Sequence, residues 1–135
     1  MNAATRPRIV VIDDDADFRA VLGVVLRARY DVLSYDCAEA WLDADRNKAS
    51  PPDLLITDVK MPGASGFKLC ETVRSLPRYA AMPILFLTGV GSDEVFLMGQ
   101  EAGASAYLTK PVEREILLSR IEDLLARNAP PLRRK

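Results

Sequence analysis

Five short apolar runs, each followed by a segment with helical spacing, limit most strongly how this chain can fold. The runs are Arg8–Asp13, Asp31–Tyr35, Asp53–Asp58, Pro83–Thr88 and Ala106–Thr109. The first, third and fourth are almost continuous Val, Ile, Leu and Phe, which is typical of strands that are buried on both faces. The alternation therefore predicts a parallel five-stranded sheet covered by helices, with right-handed crossovers between consecutive strands.

The segments between the runs predict five helices. One apolar face of the first helix is predicted from residues repeating at helical spacing, namely Phe18, Val21, Leu22, Val25 and Leu26. The other four helices are predicted at Cys37 to about Asp45, Gly66 to Ser75, Ser92 or Asp93 to Gly103, and Val112 to Arg127.

Residues at the helix ends predict caps. Asp36, with Glu39 three residues later, has the spacing of a capping pair for the second helix. Ser65 is expected to cap the third helix through its hydroxyl group. Gly103 stands where the fourth helix should end in a left-handed residue.

The composition fits one domain and excludes several function classes. Apolar residues make up 49% of the 135 residues, and 18 basic side chains nearly balance 19 acidic ones, so no nucleic-acid or membrane surface is indicated. The chain has no histidine, which excludes Ser-His and Cys-His catalysis, histidine metal sites and a histidine phosphodonor. Cys37 and Cys70 lack metal-site spacing and are expected to be small core residues of a reduced, cytoplasmic protein.

Polar side chains follow the predicted strands where they end. Asp13 and Asp14 follow the first strand, Asp58 ends the third, Thr88 ends the fourth, and Lys110 follows the fifth. In an open parallel sheet the carboxyl ends of the strands meet at one edge, and ligands bind there. We therefore expect these side chains to form one site.

The chemistry of this set indicates a metal-assisted phosphoryl site. Crowded carboxylates repel one another, and a divalent cation relieves that repulsion. Mg²⁺ prefers oxygen ligands and is commonly held by one or two carboxylates together with a phosphate. Lys110 adds positive charge and Thr88 a hydroxyl donor, so Asp58 is predicted to be a nucleophile that accepts a phosphoryl group.

The motifs IVVIDDD, LLITDVKMPGASGF, LFLTG and AYLTKP resemble the receiver domain of two-component response regulators. They occur in the expected order, and the resemblance spans Arg8 to Leu125, nearly the whole chain. It implies a flavodoxin-like fold with five helices and strand order 2-1-3-4-5. Residues 1–127 are expected to form the receiver domain, and residues 128–135 a tail or the start of a linker.

The resemblance also implies roles in phosphorylation. Asp58 would be the phosphoacceptor, served by a histidine kinase or a histidine phosphotransfer protein, in a signalling domain rather than an enzyme. Asp14 would bind Mg²⁺ directly and Asp13 through a water molecule. The remaining protein ligand beside Asp58 would be the backbone carbonyl of Lys60.

Three further residues take switch or binding roles by the same resemblance. Thr88 would move to bond the phosphoryl group, and Tyr107 would turn inward as Thr88 moves. Lys110 would bind the phosphoryl oxygens, and the peptide bond between Lys110 and Pro111 would be cis. The surface of the fourth helix, fifth strand and fifth helix would be the output face, available to an effector or a second copy of the chain.

Two stretches depart from the pattern expected of receivers. Val95, Phe96, Leu97 and Met98 are four consecutive apolar residues in the predicted fourth helix. Either this helix is buried more deeply than usual, or its apolar residues form a partner or dimer surface, which is the interpretation we favour. In GASAYL, Ser105 and Ala106 stand where acidic residues are common, and they are expected to alter surface contacts.

Alternative functions remain open at this point. A phosphatase of the haloacid dehalogenase type also uses Asp, Thr, Lys and Mg²⁺, but it needs a second aspartate where this chain has Lys60. A degenerate receiver that serves only as a binding module would usually lack the acidic pair or the lysine. The chain is either a stand-alone receiver or, as the proline-rich basic tail favours, part of a longer regulator.

Overall fold

The computed structural model of the chain describes residues 6–60, 65–89 and 91–127. Its strands are β1 Arg8–Ile12, β2 Asp31–Tyr35, β3 Leu54–Thr57, β4 Ile84–Thr88 and β5 Ala106–Thr109. Its helices are α1 Ala16–Arg27, α2 Ala38–Asp45, α3 Gly66–Arg74, α4 Asp93–Ala102 and α5 Arg114–Arg127. A 3₁₀ turn at Pro77–Tyr79, which no sequence pattern predicted, joins α3 to β4.

The five strands form one parallel sheet in the order β2-β1-β3-β4-β5, which confirms the predicted flavodoxin-like fold. Ile12, the last residue of β1, pairs with Thr57, the last residue of β3. The backbone N–H of Asp58 still donates to the carbonyl of Ile12, at 3.1 Å. The register therefore places the residues that follow β1 and β3 side by side at the carboxyl edge of the sheet.

The core consists of two apolar layers, one on each face of the sheet. Alternate residues of β1 divide between them, because Val10 and Ile12 face one layer while Ile9 and Val11 face the other. Helices α2, α3 and α4 cover the first layer, and α1 and α5 cover the second. Burial on both faces explains why the sequences of β1, β3 and β4 consist of nearly uninterrupted apolar residues.

Two predictions about helix faces and caps are wrong. Val21 was assigned to the buried face of α1, but its side chain is 62% exposed, and Leu22, Gly23 and Leu26 form the buried face. The capping pair predicted at the start of α2 does not form, because Cys37 is the N-cap and makes no side-chain cap bond. The helix begins one residue later than that pair requires.

The remaining caps are confirmed. The hydroxyl oxygen of Ser65 accepts from the N–H of Lys68, and that of Ser92 accepts from the N–H of Val95, both at 3.2 Å. Gly103 ends α4 with a φ of 108°, the left-handed conformation in which glycine carries no Cβ penalty. These caps satisfy backbone groups that a helix end otherwise leaves unpaired.

Ser105 and Ala106 are buried, so the expectation that they alter surface contacts is wrong. The hydroxyl oxygen of Ser105 accepts from the N–H of Ile84 at 3.1 Å, and its own N–H donates to the Ile84 carbonyl at 2.7 Å. Ser105 thus extends the pairing of β4 and β5 by one residue at the amino edge of the sheet.

A polar network that no local pattern signalled also lies at the amino edge. The Arg74 guanidinium donates to the Gly103 carbonyl at the end of α4 and to the Tyr79 carbonyl, each at 2.9 Å. The buried carboxylate of Asp45 accepts from the Tyr79 hydroxyl and from the Arg78 guanidinium. This network joins the C-terminal ends of α2, α3 and α4.

The two cysteines differ in burial. Cys70 is fully buried, as predicted, whereas Cys37 is only partly buried. Burial raises the pKa of the Cys70 thiol to about 11 from its ordinary value of 9.0.

Among residues 6–60, 65–89 and 91–127, no helix combines the length and the apolar composition needed to cross a bilayer.

The raised pKa of Cys70 predicts a loss of stability at alkaline pH. The unfolded chain releases this proton above pH 9 while the folded protein keeps it to about pH 11, so the contribution of the thiol is lost as pH rises through this window. A shift of this size corresponds to about 2–3 kcal/mol. Urea unfolding should show that the wild-type chain loses about this much more than Cys70→Ala between these pH values. A Cys37→Ala control should follow the wild type, and parallel profiles for wild type and Cys70→Ala would contradict the prediction.

Candidate functional site

A cleft of about 560 Å³ opens at the carboxyl edge of the sheet. It is lined by Asp13, Asp14, Asp15, Asp58, Lys60, Thr88, Gly89 and Lys110. Every predicted site residue except Tyr107 belongs to this lining. The structure thus brings together side chains that follow four different strands, as the parallel topology requires.

Asp13 is held by the turn that leads from β1 into α1. One of its carboxylate oxygens, Oδ1, accepts from the backbone N–H of Asp15 at 2.9 Å. Asp15 in turn caps α1, because its Oδ1 accepts from the N–H groups of Asp17 and Phe18. Asp13 is buried while Asp14 is exposed, so the two neighbouring aspartates face different environments.

Asp58 is fixed by the backbone that follows it. Its Oδ1 accepts from the N–H of Val59 at 2.6 Å and from the N–H of Lys60 at 3.3 Å. The chain then returns closely past this residue, since the N–H of Gly66 donates to the Val59 carbonyl at 2.7 Å. A Cβ atom at Gly66 would lie 2.2 Å from the backbone carbonyl oxygen of Asp58, so only glycine fits there.

Lys110 connects the two buried carboxylates. Its ammonium nitrogen, Nζ, donates to Oδ2 of Asp13 at 2.8 Å and to Oδ2 of Asp58 at 3.1 Å. Burial lowers the pKa of Lys110, but the hydrogen bonds and charges of Asp13 and Asp58 outweigh burial and leave the pKa raised. The ammonium therefore stays charged at neutral pH, and the predicted cis peptide bond between Lys110 and Pro111 is confirmed.

The oxygen donors of the cleft suit a hard divalent cation. Within residues 6–60, 65–89 and 91–127 no group of three or more His, Cys, Asp or Glu side chains is already arranged around a metal position. Two carboxylate oxygens do converge on one cation, the Lys110 ammonium, and the exposed carboxylate of Asp14 lines the same cleft. Because the lining contains carboxylates but neither His nor Cys, it fits Mg²⁺ rather than zinc or copper.

Thr88 and Tyr107 lie on the adjacent strands β4 and β5. Thr88 is fully buried at the end of β4, and its carbonyl accepts from the backbone N–H of Lys110 at 2.7 Å. Tyr107 is half-buried, and its pKa is raised by burial and, to a smaller extent, by the negative charge of Asp58. Tyr107 pairs with Phe86 of β4 and does not line the cleft.

A row of aromatic rings runs from the core to the surface of α4. Phe67 contacts Phe86 edge-to-face, with ring centroids 5.6 Å apart. Phe86 contacts Tyr107 at 6.0 Å, and Tyr107 contacts Phe96 of α4 at 5.8 Å. Tyr107 therefore stands between a buried ring of β4 and an exposed ring of α4.

The apolar residues of α4 lie at the surface. Phe96 is 40%, Leu97 56% and Met98 45% exposed, so a more deeply buried α4 is the wrong interpretation. Contiguous exposed apolar side chains commonly mark an interaction surface. We call these three residues the α4 patch.

Three residues that shape the cleft were not predicted to do so. The Phe18 ring lies 4.0 Å from the Lys110 ammonium nitrogen, measured to the ring centroid. The Arg19 guanidinium donates to the backbone carbonyl of Asp13. Gly66 meets the backbone of Asp58. In the sequence, Phe18 was recognisable only as part of an apolar stripe. No local pattern indicated a role for Arg19. A glycine soon after Asp58 could have been taken as a signal that two backbone segments approach closely there.

Comparison with known sequences places this arrangement in a family. The sequence model of the response regulator receiver domain matches residues 9–122. The DNA-binding transcriptional regulator RpaA of Synechocystis is 34% identical over 125 residues, which cover 90% of this chain and 50% of RpaA. The chain spans about half the length of the curated relatives it matches.

Solved structures give the same result. The chemotaxis protein CheY4 of Vibrio cholerae matches with a TM-score of 0.83 and 30% identity, covering 90% of this chain and 100% of CheY4. The BeF3-activated receiver domain of DrrB, from Thermotoga maritima, matches with a TM-score of 0.81 and 29% identity, covering 90% of this chain and 99% of that domain.

The tight packing of Gly66 predicts that Gly66→Ala is destabilising. The new methyl group would collide with backbone that cannot move without displacing Asp58, at a cost of about 1–3 kcal/mol. Gly23→Ala is the matched control, because there the new methyl group meets only the mobile end of the Arg27 side chain. That control should be neutral or stabilising by up to about 1 kcal/mol, since alanine is favoured inside a helix. Urea unfolding measures both variants, and equal stabilities would contradict the prediction.

Proposed function

The chain belongs to the response regulator receiver domain family, and from this premise we propose that it accepts a phosphoryl group on Asp58 and thereby switches an output surface. The observation that carries the proposal is the convergence of Asp13 Oδ2 and Asp58 Oδ2 on the Lys110 ammonium. Receiver domains are signalling domains rather than classical enzymes. The intrinsic phosphotransfer proposed here is the chemistry that serves this signalling.

Phosphoryl transfer would use the carboxylate of Asp58 as nucleophile. Its Oδ1 is engaged by two backbone N–H groups, which leaves Oδ2 as the oxygen directed at the cation. In the reaction a carboxylate oxygen of Asp58 bonds to phosphorus while the phosphorus–nitrogen bond of a donor phosphohistidine breaks, and the electron pair stays with the histidine. The donor would be a sensor histidine kinase or a histidine phosphotransfer protein.

Charge compensation would come from a divalent cation and from Lys110. Asp13, Asp14, Asp58 and the backbone carbonyl of Lys60 would hold Mg²⁺, with Asp14 a direct ligand and Asp13 acting through water. When bound, Mg²⁺ offsets the negative charge on the transferring oxygens. Lys110 would bind an oxygen of the phosphoryl group, to which its ammonium can turn from Oδ2 of Asp58 without leaving the cleft.

Signal output would pass through Thr88 and Tyr107 to the α4 patch. Thr88 ends β4 in the cleft lining, so its hydroxyl group can respond to a phosphoryl group on Asp58. Tyr107 would follow, and it already contacts Phe96 of the α4 patch. A movement of Tyr107 would therefore reach, through a direct ring contact, a surface that can bind an effector or a second copy of the chain.

Two rival functions are less well supported. A phosphatase of the haloacid dehalogenase type requires an aspartate where the exposed Lys60 stands, and it belongs to a different family. A degenerate receiver would not need the acidic pair and the lysine, yet this chain has them in one cleft.

The matched relatives are about twice as long as this chain. We therefore propose that an output domain is attached to the receiver domain, and that the receiver domain ends at residue 127.

Acetyl phosphate tests the chemistry directly. With Mg²⁺ present, the wild-type chain should gain the mass of one phosphoryl group, located to the peptide containing Asp58. Asp58→Asn removes the nucleophile and should abolish this gain, and chelation of the divalent cation should suppress it. Intact-mass and peptide mass spectrometry make the measurement. A phosphoryl group on Asp58→Asn, or on another residue of the wild type, would overturn the proposal.

If the α4 patch is the output surface, a charged residue within it should impair self-association or effector binding. Phe96→Asp places a charge in the patch and should weaken phosphorylation-dependent self-association or effector binding by at least tenfold, or about 1.4 kcal/mol. Val24→Asp is the matched control, because Val24 is also an exposed apolar residue of a helix, at 76% exposure. Sedimentation velocity with and without beryllofluoride measures self-association. If Phe96→Asp matches the control in oligomer mass and in effector affinity, the α4 patch is not the output surface.

A further inference from the structure

The Lys110 ammonium has a third neighbour that the phosphorylation chemistry does not use. An ammonium group carries three N–H donors. Two of them serve Asp13 and Asp58, and the Phe18 ring faces the nitrogen, with its centroid 4.0 Å away. This distance is well inside the roughly 6 Å over which a cation is attracted by an aromatic face.

The Phe18 ring is a fixed platform rather than a mobile contact. Its backbone N–H donates to Oδ1 of Asp15 in the first turn of α1. Its ring is half-buried and packs against the apolar layer under α1 and α5. Lys110 by contrast reaches the cleft on a long chain whose rotamer freedom costs free energy to restrict. The ring therefore limits where the ammonium can lie.

A divalent cation and Lys110 compete for the same carboxylate oxygens. The ammonium now binds Oδ2 of both Asp13 and Asp58, and a cation held by these residues would weaken those contacts. Mg²⁺ binds oxygen, so it has no comparable attraction to the Phe18 ring. Of these three neighbours, the Phe18 ring is the one for which Mg²⁺ would not compete.

We propose that Phe18 is a positioning residue for phosphorylation: its ring holds Lys110 beside Asp58 once a divalent cation occupies the carboxylates. This inference rests on the proposed phosphoacceptor function. It predicts that removing the ring weakens the binding of one ligand but not of the other. The Mg²⁺ affinity should not fall, because a less restrained Lys110 competes no better for the carboxylates. The affinity for a phosphoryl group should fall, because Lys110 is no longer held in place to bind it.

Phe18→Leu, which removes the aromatic face but keeps an apolar side chain of similar size, tests the proposal. Mg²⁺ alone is titrated by calorimetry, and beryllofluoride is titrated at saturating Mg²⁺ by ¹⁹F NMR. Phe18→Leu should bind Mg²⁺ at least as tightly as the wild type and beryllofluoride about two- to fivefold more weakly, which is the range of a half-exposed cation–π contact. Phe18→Tyr retains an aromatic face and should restore the wild-type affinity.

A Lys110→Met background supplies the control. If the ring acts through Lys110, adding Phe18→Leu to Lys110→Met should cause no further loss of beryllofluoride affinity. Equal weakening of both ligands in Phe18→Leu would mean that the ring only supports the acidic turn, and unchanged beryllofluoride affinity would mean that it does not position Lys110. Either result overturns the inference about Phe18 but leaves the proposed function of Asp58 standing. If the wild type itself binds no beryllofluoride, the proposed function is overturned, and this inference with it.

Discussion

The site depends on one interaction, the compensation of two buried carboxylates by the ammonium of Lys110. Asp13 and Asp58 come from neighbouring strands and share a low-dielectric edge, where their mutual repulsion would be severe. Replacing Lys110 would leave both carboxylates uncompensated, which costs far more than an exposed ion pair contributes. The same requirement makes the cleft receptive to further positive charge.

The two edges of the sheet have different properties. The carboxyl edge carries titratable groups, an open cleft and a glycine passing close to the backbone of Asp58. The amino edge carries a network in which Arg74 donates to the carbonyls of Tyr79 and Gly103, and the Tyr79 hydroxyl donates to Oδ2 of Asp45. Helix α4 is therefore attached firmly at its C-terminal end. The α4 patch, residues 96–98, lies in the middle of the helix, between this attachment and the N-terminal end that follows the cleft.

Patterns with a local cause were predictable from the sequence. Buried strands, helix caps at Ser65, Ser92 and Gly103, and the gathering of acidic residues at one edge follow from periodicity, capping chemistry and parallel topology. The strand order and the cis bond before Pro111 came from the family resemblance alone. The errors at Val21 and Ser105, and the failure to foresee the contacts of Phe18 and Arg74, share one reason. Each depends on which distant segment packs against the residue, and helical or strand spacing does not encode that.

The separation of the site residues along the chain has a consequence for synthesis. Lys110 and Asp13 are 97 residues apart, and Lys110 and Asp58 are 52 apart. A growing polypeptide that has not yet docked β5 therefore has both acidic partners but lacks their counterion. The cluster of Asp13, Asp58 and Lys110 is therefore completed only when β5, the last strand in the chain, pairs with β4. If Asp58 is the phosphoacceptor, as proposed, a partly translated chain would lack the lysine of its site, and competence at Asp58 would then indicate that the domain is complete.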